Sequence, residues 1–398
     1  MNNTTEIIIM SVFWLSLAAT LYTYFFYPLL LAFLTGFSNR RNRQLSEQVN
    51  SPEVPDENLP NVTMVVSAYN ERDILPDKIA NCQAINYPAD KIRFLFGSDG
   101  SDDGTARILH NIDDHRFQTV ISRIRRGKVQ MLNRLMKLTT SDLVVFSDAN
   151  TMYEPDAVSE LVKKFNEKNV GAVIGKLELF VPTENRESAC RTENLYWRYE
   201  NKIKQMESDL ASVPTINGGI FAIRRELYEE LPTNSVTEDQ VLGMKIMTRR
   251  WRCLFAHRAR AREAVSTWTG ELQRRIRISA GNFQSLFMVP AILNPRLGWI
   301  SFAFISHKLL RWLVPFFLLA MLAANLLLAG QMFYGSTLLL QAIFYATGIL
   351  GSFLPKLTGI LKFLSIPRYF LAMNFAILLG LLRFLRGRQR VTWAKTQR

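Results

Sequence analysis

Two kinds of pattern alternate along the chain. Residues 7 to 34, 309 to 329, 336 to 354 and 366 to 385 are nearly continuous apolar runs. Each is close to the roughly 20 residues that carry a helix across a bilayer. Between the first and the second, short β-branched runs alternate with stretches of helical period. Residues 62 to 69, 93 to 99, 119 to 122 and 143 to 148 read as strands, and a helix is predicted from Asn70 towards Ile85 and another from Gly127 to Leu138. This rhythm predicts an α/β fold with a doubly wound parallel sheet and right-handed crossovers. Asp99 and Asp148 are then expected at neighbouring strand ends, on the edge where open α/β sheets bind ligands. Further on, residues 170 to 179 predict a strand and 186 to 210 a helix carrying Tyr196, Trp197 and Tyr199. Residues 215 to 223 predict a strand interrupted by Gly218 and Gly219, which permit close approach by backbone or ligand.

Two helices have marked polarity. Thr237-Glu238-Asp239-Gln240 reads as a capping box opening a helix to about Arg249. From Glu271 to Phe287, helical spacing puts Leu272, Ile276, Ala280, Phe283 and Phe287 on one side and Arg274, Arg277, Gln284 and Ser285 on another. That helix is expected to lie in a membrane interface. The resulting division is an anchor over 1–38, a linker over 39–60 with Pro52, Pro55 and Pro60, an α/β domain over 61–267, an interfacial region over 268–298, and a membrane block with a basic tail over 299–398.

Charge sharpens this division. Arg40, Arg41 and Arg43 follow the first apolar run, and only Glu6 is charged ahead of it. The pattern fits an uncleaved anchor at the plasma (inner) membrane with the α/β domain in the cytoplasm, since a cleaved signal carries its positive charge first. A formal charge of +14 with much of the Arg and Lys beside apolar segments points to lipid headgroups and phosphorylated substrates. No aromatic-interleaved basic motif suggests nucleic acid. Cys82, Cys190 and Cys253 lack metal-ligand spacing and predict packing residues in a reducing compartment. Three further spans would put the tail from Arg383 to Arg398 outside, against the usual bias of basic residues, so residues 355 to 368 suggest an interfacial excursion.

Candidate chemistry gathers at strand ends. Asp148 and Asn150 offer one carboxylate and one amide oxygen, a set suited to a hard cation that bridges phosphates, although both are also ordinary turn residues. The ordered set Ser67-Ala68-Tyr69-Asn70-Glu71, Ser98-Asp99-Gly100-Ser101-Asp102-Asp103-Gly104-Thr105, Gly127-Lys128 with Leu132-Asn133, Ser147-Asp148-Ala149-Asn150, Asn217-Gly218-Gly219 and Thr237-Glu238-Asp239 resembles the membrane-embedded family 2 glycosyltransferases. These are inverting enzymes of GT-A fold that include the cellulose, hyaluronan and poly-N-acetylglucosamine synthases.

The resemblance implies transfer from a UDP-sugar, with Mg²⁺ or Mn²⁺, to a growing β-linked extracellular polysaccharide. Ser67, Tyr69, Glu71 and Asp99 are then expected to hold the nucleotide, Lys128, Asp148 and Arg274 to lie towards its phosphates, and Asp148 and Asn150 to hold the metal. Asp239 is expected as the base with Glu238 in support, and Arg277 as the partner of the leaving diphosphate. As first-turn residues, Glu238 and Asp239 are expected to be held ionised by the helix dipole, which lowers their basicity. Asp102 and Asp103 are expected to cap the second helix. The family's Gln-x-x-Arg-Trp motif is altered: Arg274 stands for Gln and Ile278 for Trp, and Arg275 suits lipid headgroups. Two alternatives stay open, single transfer to a lipid carrier and a non-catalytic nucleotide-sugar-binding part of an export assembly. Expected partners are the UDP-sugar, a glycan or lipid acceptor, membrane lipids and export proteins.

Overall fold

The computed structural model describes residues 2–46, 58–180, 188–264, 268–353 and 365–387. Most of the linker, much of the proposed 355–368 excursion, the tail beyond residue 387 and the Cys190 side chain lie outside the described part. Strands β1 (Val62–Ala68), β2 (Ile92–Asp99), β3 (Phe117–Ser122) and β4 (Leu143–Asp148) pair in parallel in the order β3-β2-β1-β4. Helices α3 (Leu75–Gln83), α4 (Thr105–His110) and α5 (Lys128–Leu138) make the crossovers. β1 and β4 are nearly continuous apolar runs because both of their faces are covered. Val65, Val144 and Phe146 pack under α5 on one side, and Met64, Val66 and Val145 under α3 on the other. Phe146 stacks on Phe221, with ring centroids 4.7 Å apart.

Beyond β4 the sheet turns mixed. β7 (Ile220–Arg224) is antiparallel to β4 and to β6 (Val170–Phe180), β8 (Arg252–Ala264) is parallel to β6, and β5 (Met152–Tyr153) closes the edge. α6 (Ala157–Lys163), α7 (Ser188–Leu210), α8 (Glu238–Thr248) and α9 (Trp268–Met288) complete this part.

Three local expectations are corrected. Asp99 and Asp148 are not on neighbouring strands, because β1 lies between β2 and β4. The helix expected from Asn70 begins only at Leu75; Asn70 takes φ 54° and is braced to Asp102 through its amide, with Nδ2 donating to Oδ1 at 2.7 Å. Asp102 therefore ties this turn to the β2–α4 loop instead of capping α4. Asp103 does both, accepting from the Arg72 and Thr105 N–H groups at 3.1 and 2.9 Å. The strand expected over 215–223 is ordered as a strand only from Ile220, which leaves both glycines in the preceding turn.

Among the described residues, four helical segments are long and apolar enough to cross a membrane. α1 (Asn3–Leu21) continues through a wide turn at Tyr22–Phe26 into α2 (Tyr27–Ser46). α10 (Trp299–Ala303) does the same through Phe304–Leu309 into α11 (Leu310–Leu327), and α12 (Met332–Phe353) and α13 (Ser365–Leu385) follow. Leu15 and Leu340 are 71% and 66% exposed, which suits lipid contact and not water. Buried polar contacts dock the first two of these segments on α7: the Tyr27 hydroxyl donates to Glu207 Oε1 at 2.7 Å, His307 Nδ1 lies 2.8 Å from the same oxygen, and Arg311 pairs with Glu200.

α9 is not the free interfacial helix that its two faces suggest. Gln284 holds the loop before α8, with Oε1 accepting from the Val236 N–H at 3.0 Å and Nε2 donating to the Asn234 carbonyl at 2.9 Å. Ser285, on the polar face, is fully buried. The opposite side receives α13, from Arg368 over the Trp268 ring at 4.4 Å to Phe384 against Phe287 at 5.4 Å. Gly380 makes this approach possible, because a Cβ there would lie 2.5 Å from Ser279 Cβ and 2.9 Å from the Ile276 carbonyl. Gly380→Val is expected to cost about 1–3 kcal/mol through overpacking. A lowered melting temperature in nanodiscs checks this, and an unchanged one contradicts the packing.

Candidate active site

α5 begins at the C-terminal edge of the parallel sheet, so its first residue meets the end of β4. Lys128 Nζ lies 2.7 Å from Asp148 Oδ1 and 2.7 Å from Glu238 Oε1. Burial opposes the Lys128 charge, but the two carboxylates outweigh it and hold the pKa above the ordinary lysine value. Asp99 fixes the approach to this lysine, its two oxygens accepting from the Arg126 and Gly127 N–H groups at 2.8 and 2.7 Å. It is 4% exposed. Asp99 therefore acts first on the loop before α5, which also carries Arg125 to within 3.6 Å of the Tyr69 ring. Ser67 lies in register with Asp148 on the adjacent strand, and Glu71 follows in the next turn, its N–H donating to Thr105 Oγ1 at 3.0 Å.

α8 starts where the expected capping box predicts, but the box does not form. Thr237 makes no side-chain cap bond, and among the described residues its Oγ1 and the Gln240 Nε2 have no partner. Asp239 Oδ1 accepts from the Gln240 N–H at 2.8 Å. Burial and then the Glu238 charge push the Asp239 carboxyl up to about 7, while Lys128 pulls the other way. The expectation that the helix dipole lowers its basicity is thereby reversed, because desolvation and a like charge outweigh a partial dipole charge. Gly218 borders this carboxylate so closely that a Cβ would lie 3.1 Å from Asp239 Oδ2.

An open cleft of about 840 Å³ runs from Asp148 and Asn150 past Asp239 and Arg277 to Trp197 and Arg311. Burial holds the Arg277 guanidinium below its usual pKa, with Glu238 and Asp239 acting against that shift. Arg274 lines the same wall and is held by Glu271, Nε to Oε2 at 2.7 Å. Arg275 also faces inward, bonded to Glu271 at 2.5 Å and 5.7 Å from the Tyr196 ring centre. Its assignment to lipid headgroups is thus corrected. Asn150 Nδ2 donates to Glu263 Oε1 at 2.8 Å, which leaves the amide Oδ1 as an acceptor. Asp148, Asn150 and Glu263 offer only hard oxygen atoms to the cleft. Among the described residues no cluster of three His, Cys, Asp or Glu is placed to hold a metal alone. A cation here would draw its other ligands from phosphate and water.

Lys78 was not singled out by sequence. It is fully buried, its ammonium donating to Ser147 Oγ at 2.8 Å and to the Thr151 carbonyl at 2.5 Å, and so it holds the turn that presents Asp148 and Asn150. Burial lowers its pKa. The available signal was a lysine at helical spacing between Leu75 and Cys82, on the face of α3 that turns inward.

Comparison with known proteins agrees with this architecture. Residues 60–281 match the family model described as glycosyltransferase like family 2. A poly-β-1,6-N-acetyl-D-glucosamine synthase of Staphylococcus aureus (strain MSSA476) is 25% identical over 288 residues, 70% of this chain and 64% of that one. The counterpart of Staphylococcus epidermidis is 24% identical over 261 residues, 63% of this chain and 62% of that one. The match thus spans less than two thirds of either synthase. The structure of the mannosyltransferase PcManGT from Pyrobaculum calidifontis, in complex with GDP-Man and Mn²⁺, superimposes with a TM-score of 0.65 at 22% identity, over 95% of this chain and 99% of that one. It shares the GT-A-like fold. With the family match covering more than half of its length, the chain belongs to glycosyltransferase family 2, as a glycosyltransferase related to polysaccharide synthases.

Proposed function

We propose that the protein transfers a sugar from a UDP-sugar to an acceptor hydroxyl at the cytoplasmic face of the plasma membrane, with inversion, to extend a β-linked extracellular polysaccharide. The observation that carries this reading is the Asp239 carboxyl, set at the head of α8 in the cleft shared with Asp148 and Arg277 and pushed up to about 7. A base of that strength suits proton transfer at neutral pH. The acceptor oxygen bonds to the anomeric carbon as the bond to the diphosphate breaks. Its proton passes to Asp239, and UDP departs. Glu238, tied to Lys128, stands beside the base and raises the base's proton affinity. Arg277 supplies a guanidinium to the departing diphosphate. Ser67, Tyr69 and Glu71, with Arg125 over the Tyr69 ring, form the nucleotide end, and Arg274 stands with Arg277 on the phosphate wall.

Asp148 and Asn150 fit Mg²⁺ or Mn²⁺, for they are oxygen donors at one edge of the cleft. When bound, the cation would neutralise the donor's diphosphate. Asn150→Asp adds a carboxylate there and removes the N–H that now meets Glu263. We expect a lower Mn²⁺ concentration for half-maximal rate, and without metal a stability loss of roughly 1 kcal/mol as two carboxylates face each other. A metal titration of rate and of melting temperature checks both. An unchanged or raised Mn²⁺ requirement removes Asn150 from the ligand set.

The course of α13 beside α9 supports three crossings, with the fourth apolar helix lying along the domain. Arg383 Nη2 donates to Gln273 Oε1 at 3.0 Å, on the domain side. With this arrangement Arg383 and Arg386 would lie on the cytoplasmic side, as the distribution of Arg and Lys favours. The deciding experiment is a panel of UDP-sugars, with GDP-mannose as comparison, on the purified protein with Mg²⁺ or Mn²⁺ and with product sizing. A ladder of sizes supports polymerisation. A single glycolipid moves the reading to one transfer per lipid carrier, and no transfer from any UDP-sugar overturns the donor assignment.

A further inference from the structure

The cleft does not stop at Asp239. Its far end reaches the seam between α7 and the membrane helices, where Lys204 meets Lys308 and Arg311. Lys204 is 2% exposed, yet among the described residues its ammonium has no ion-pair or hydrogen-bond partner. Its ammonium lies 5.5 Å from the Trp197 ring centre. Arg311 is 8% exposed; its Nη1 meets Glu200 and the Tyr196 hydroxyl at 3.4 Å, and its guanidinium lies 5.6 Å from the Tyr24 ring centre. Its Nε and Nη2 have no partner among the described residues. Lys308 Nζ shares Glu200 at 3.5 Å.

Two carboxylates, Glu200 and Glu207, thus face three cations; Glu207 Oε1 is taken by Tyr27 and His307, and its Oε2 has no hydrogen-bond partner among the described residues. Buried charges left without full partners are costly, so spare donors beside a solvent-filled cleft mark a place that an anion completes. Burial and the nearby Lys308 charge push the Lys204 pKa down to about 8, and a bound anion would draw it back up. Around these cations the wall is that of a membrane protein, with Tyr24 from the first span and Met373 from α13. An occupant here therefore combines a compact anion with an apolar tail. The donor nucleotide does not fit that description, and its phosphates have Lys128 and Arg277 at the other end.

We propose that this end of the cleft is an anion subsite, built by Lys204, Lys308 and Arg311, that holds the phosphate of a lipid-linked acceptor while the acceptor's hydroxyl end reaches Asp239. A guanidinium fork and two ammonium groups match phosphate oxygens. The inference rests on the sugar-transfer reading of Asp239 but concerns a different end of the cleft, so the two are tested separately.

The test uses the full chain in phosphatidylcholine nanodiscs and measures binding of farnesyl phosphate, farnesol and inorganic phosphate. Wild type is expected to bind farnesyl phosphate at least about tenfold more tightly than either of the others, the scale of one charge-assisted hydrogen bond. Lys204→Met should abolish that margin and Lys204→Arg should keep it, with UDP binding unchanged in both. Equal binding of farnesol and farnesyl phosphate overturns the anion subsite. Inorganic phosphate binding as tightly as farnesyl phosphate overturns the lipid-linked occupant, and a margin that survives Lys204→Met overturns the residue assignment. Hydrolysis of UDP-sugar on the same preparations reports on the Asp239 end alone.

Discussion

Asp239→Asn is expected to lower sugar transfer by about 10²–10⁴-fold, the usual contribution of a general base, while UDP binding and the fold persist. The amide oxygen of Asn still accepts from the Gln240 N–H, so the helix start is retained. In the wild type, the rate at low acceptor concentration should rise with pH through about 7 and level off above it, because only the ionised carboxylate takes a proton. Stability should move the other way. A carboxyl whose folded pKa is raised favours the folded state at low pH, and that contribution is lost as pH rises through about 7. Asp239→Asn removes this loss, so its melting temperature should match or exceed wild type at pH 8.5. Transfer above a tenth of wild type, or a lower melting temperature at that pH, would return Asp239 to a structural role and make Glu238 the next candidate.

Arg277→Ala carries the second large effect. A guanidinium that meets charge developing on the diphosphate should cost about 10²-fold or more in turnover when removed, with UDP affinity changed far less. Arg277→Lys keeps the charge but not the fork and should fall between the two. Turnover and UDP binding measured on one nanodisc preparation separate this from membrane attachment. Normal turnover per molecule with weaker membrane association would make Arg277 a lipid contact, although its place in the cleft beside Glu238 and Asp239 speaks for the phosphate.

The parallel half of the sheet was legible because strands covered on both faces leave unbroken apolar runs, as Val62–Ala68 and Leu143–Asp148 do. The order of those strands was not, since crossovers to either side leave the same one-dimensional trace. Hence β1 separates Asp99 from Asp148. The start of α8 was legible from Thr237-Glu238-Asp239-Gln240, whereas the missing cap bond and the raised Asp239 pKa depend on burial supplied by distant residues. Lys78 was passed over and Arg275 assigned to lipid headgroups for one reason. A long cationic side chain reads as solvated unless its partners are known, and here these are Ser147, Thr151 and Glu271. The two faces of α9 were read correctly as apolar and polar, but pattern alone does not distinguish lipid from a second helix or from a protein loop as the covering partner.

The sandwiching of α9 between the loop before α8 and α13 would give the cleft an elastic connection to the bilayer that the apolar helices are proposed to cross. Gly380 touches Ile276 and Ser279, the residues on either side of Arg277, while Gly281 on the same helix abuts Thr237 at the base of Asp239. A tilt of α12 in a thinner or thicker bilayer would reach α13 through Gly348, which abuts Leu371 and Pro367, and would displace the phosphate wall and the base together, with the nucleotide half left in place. Turnover should then depend on acyl-chain length at constant headgroup while UDP affinity does not.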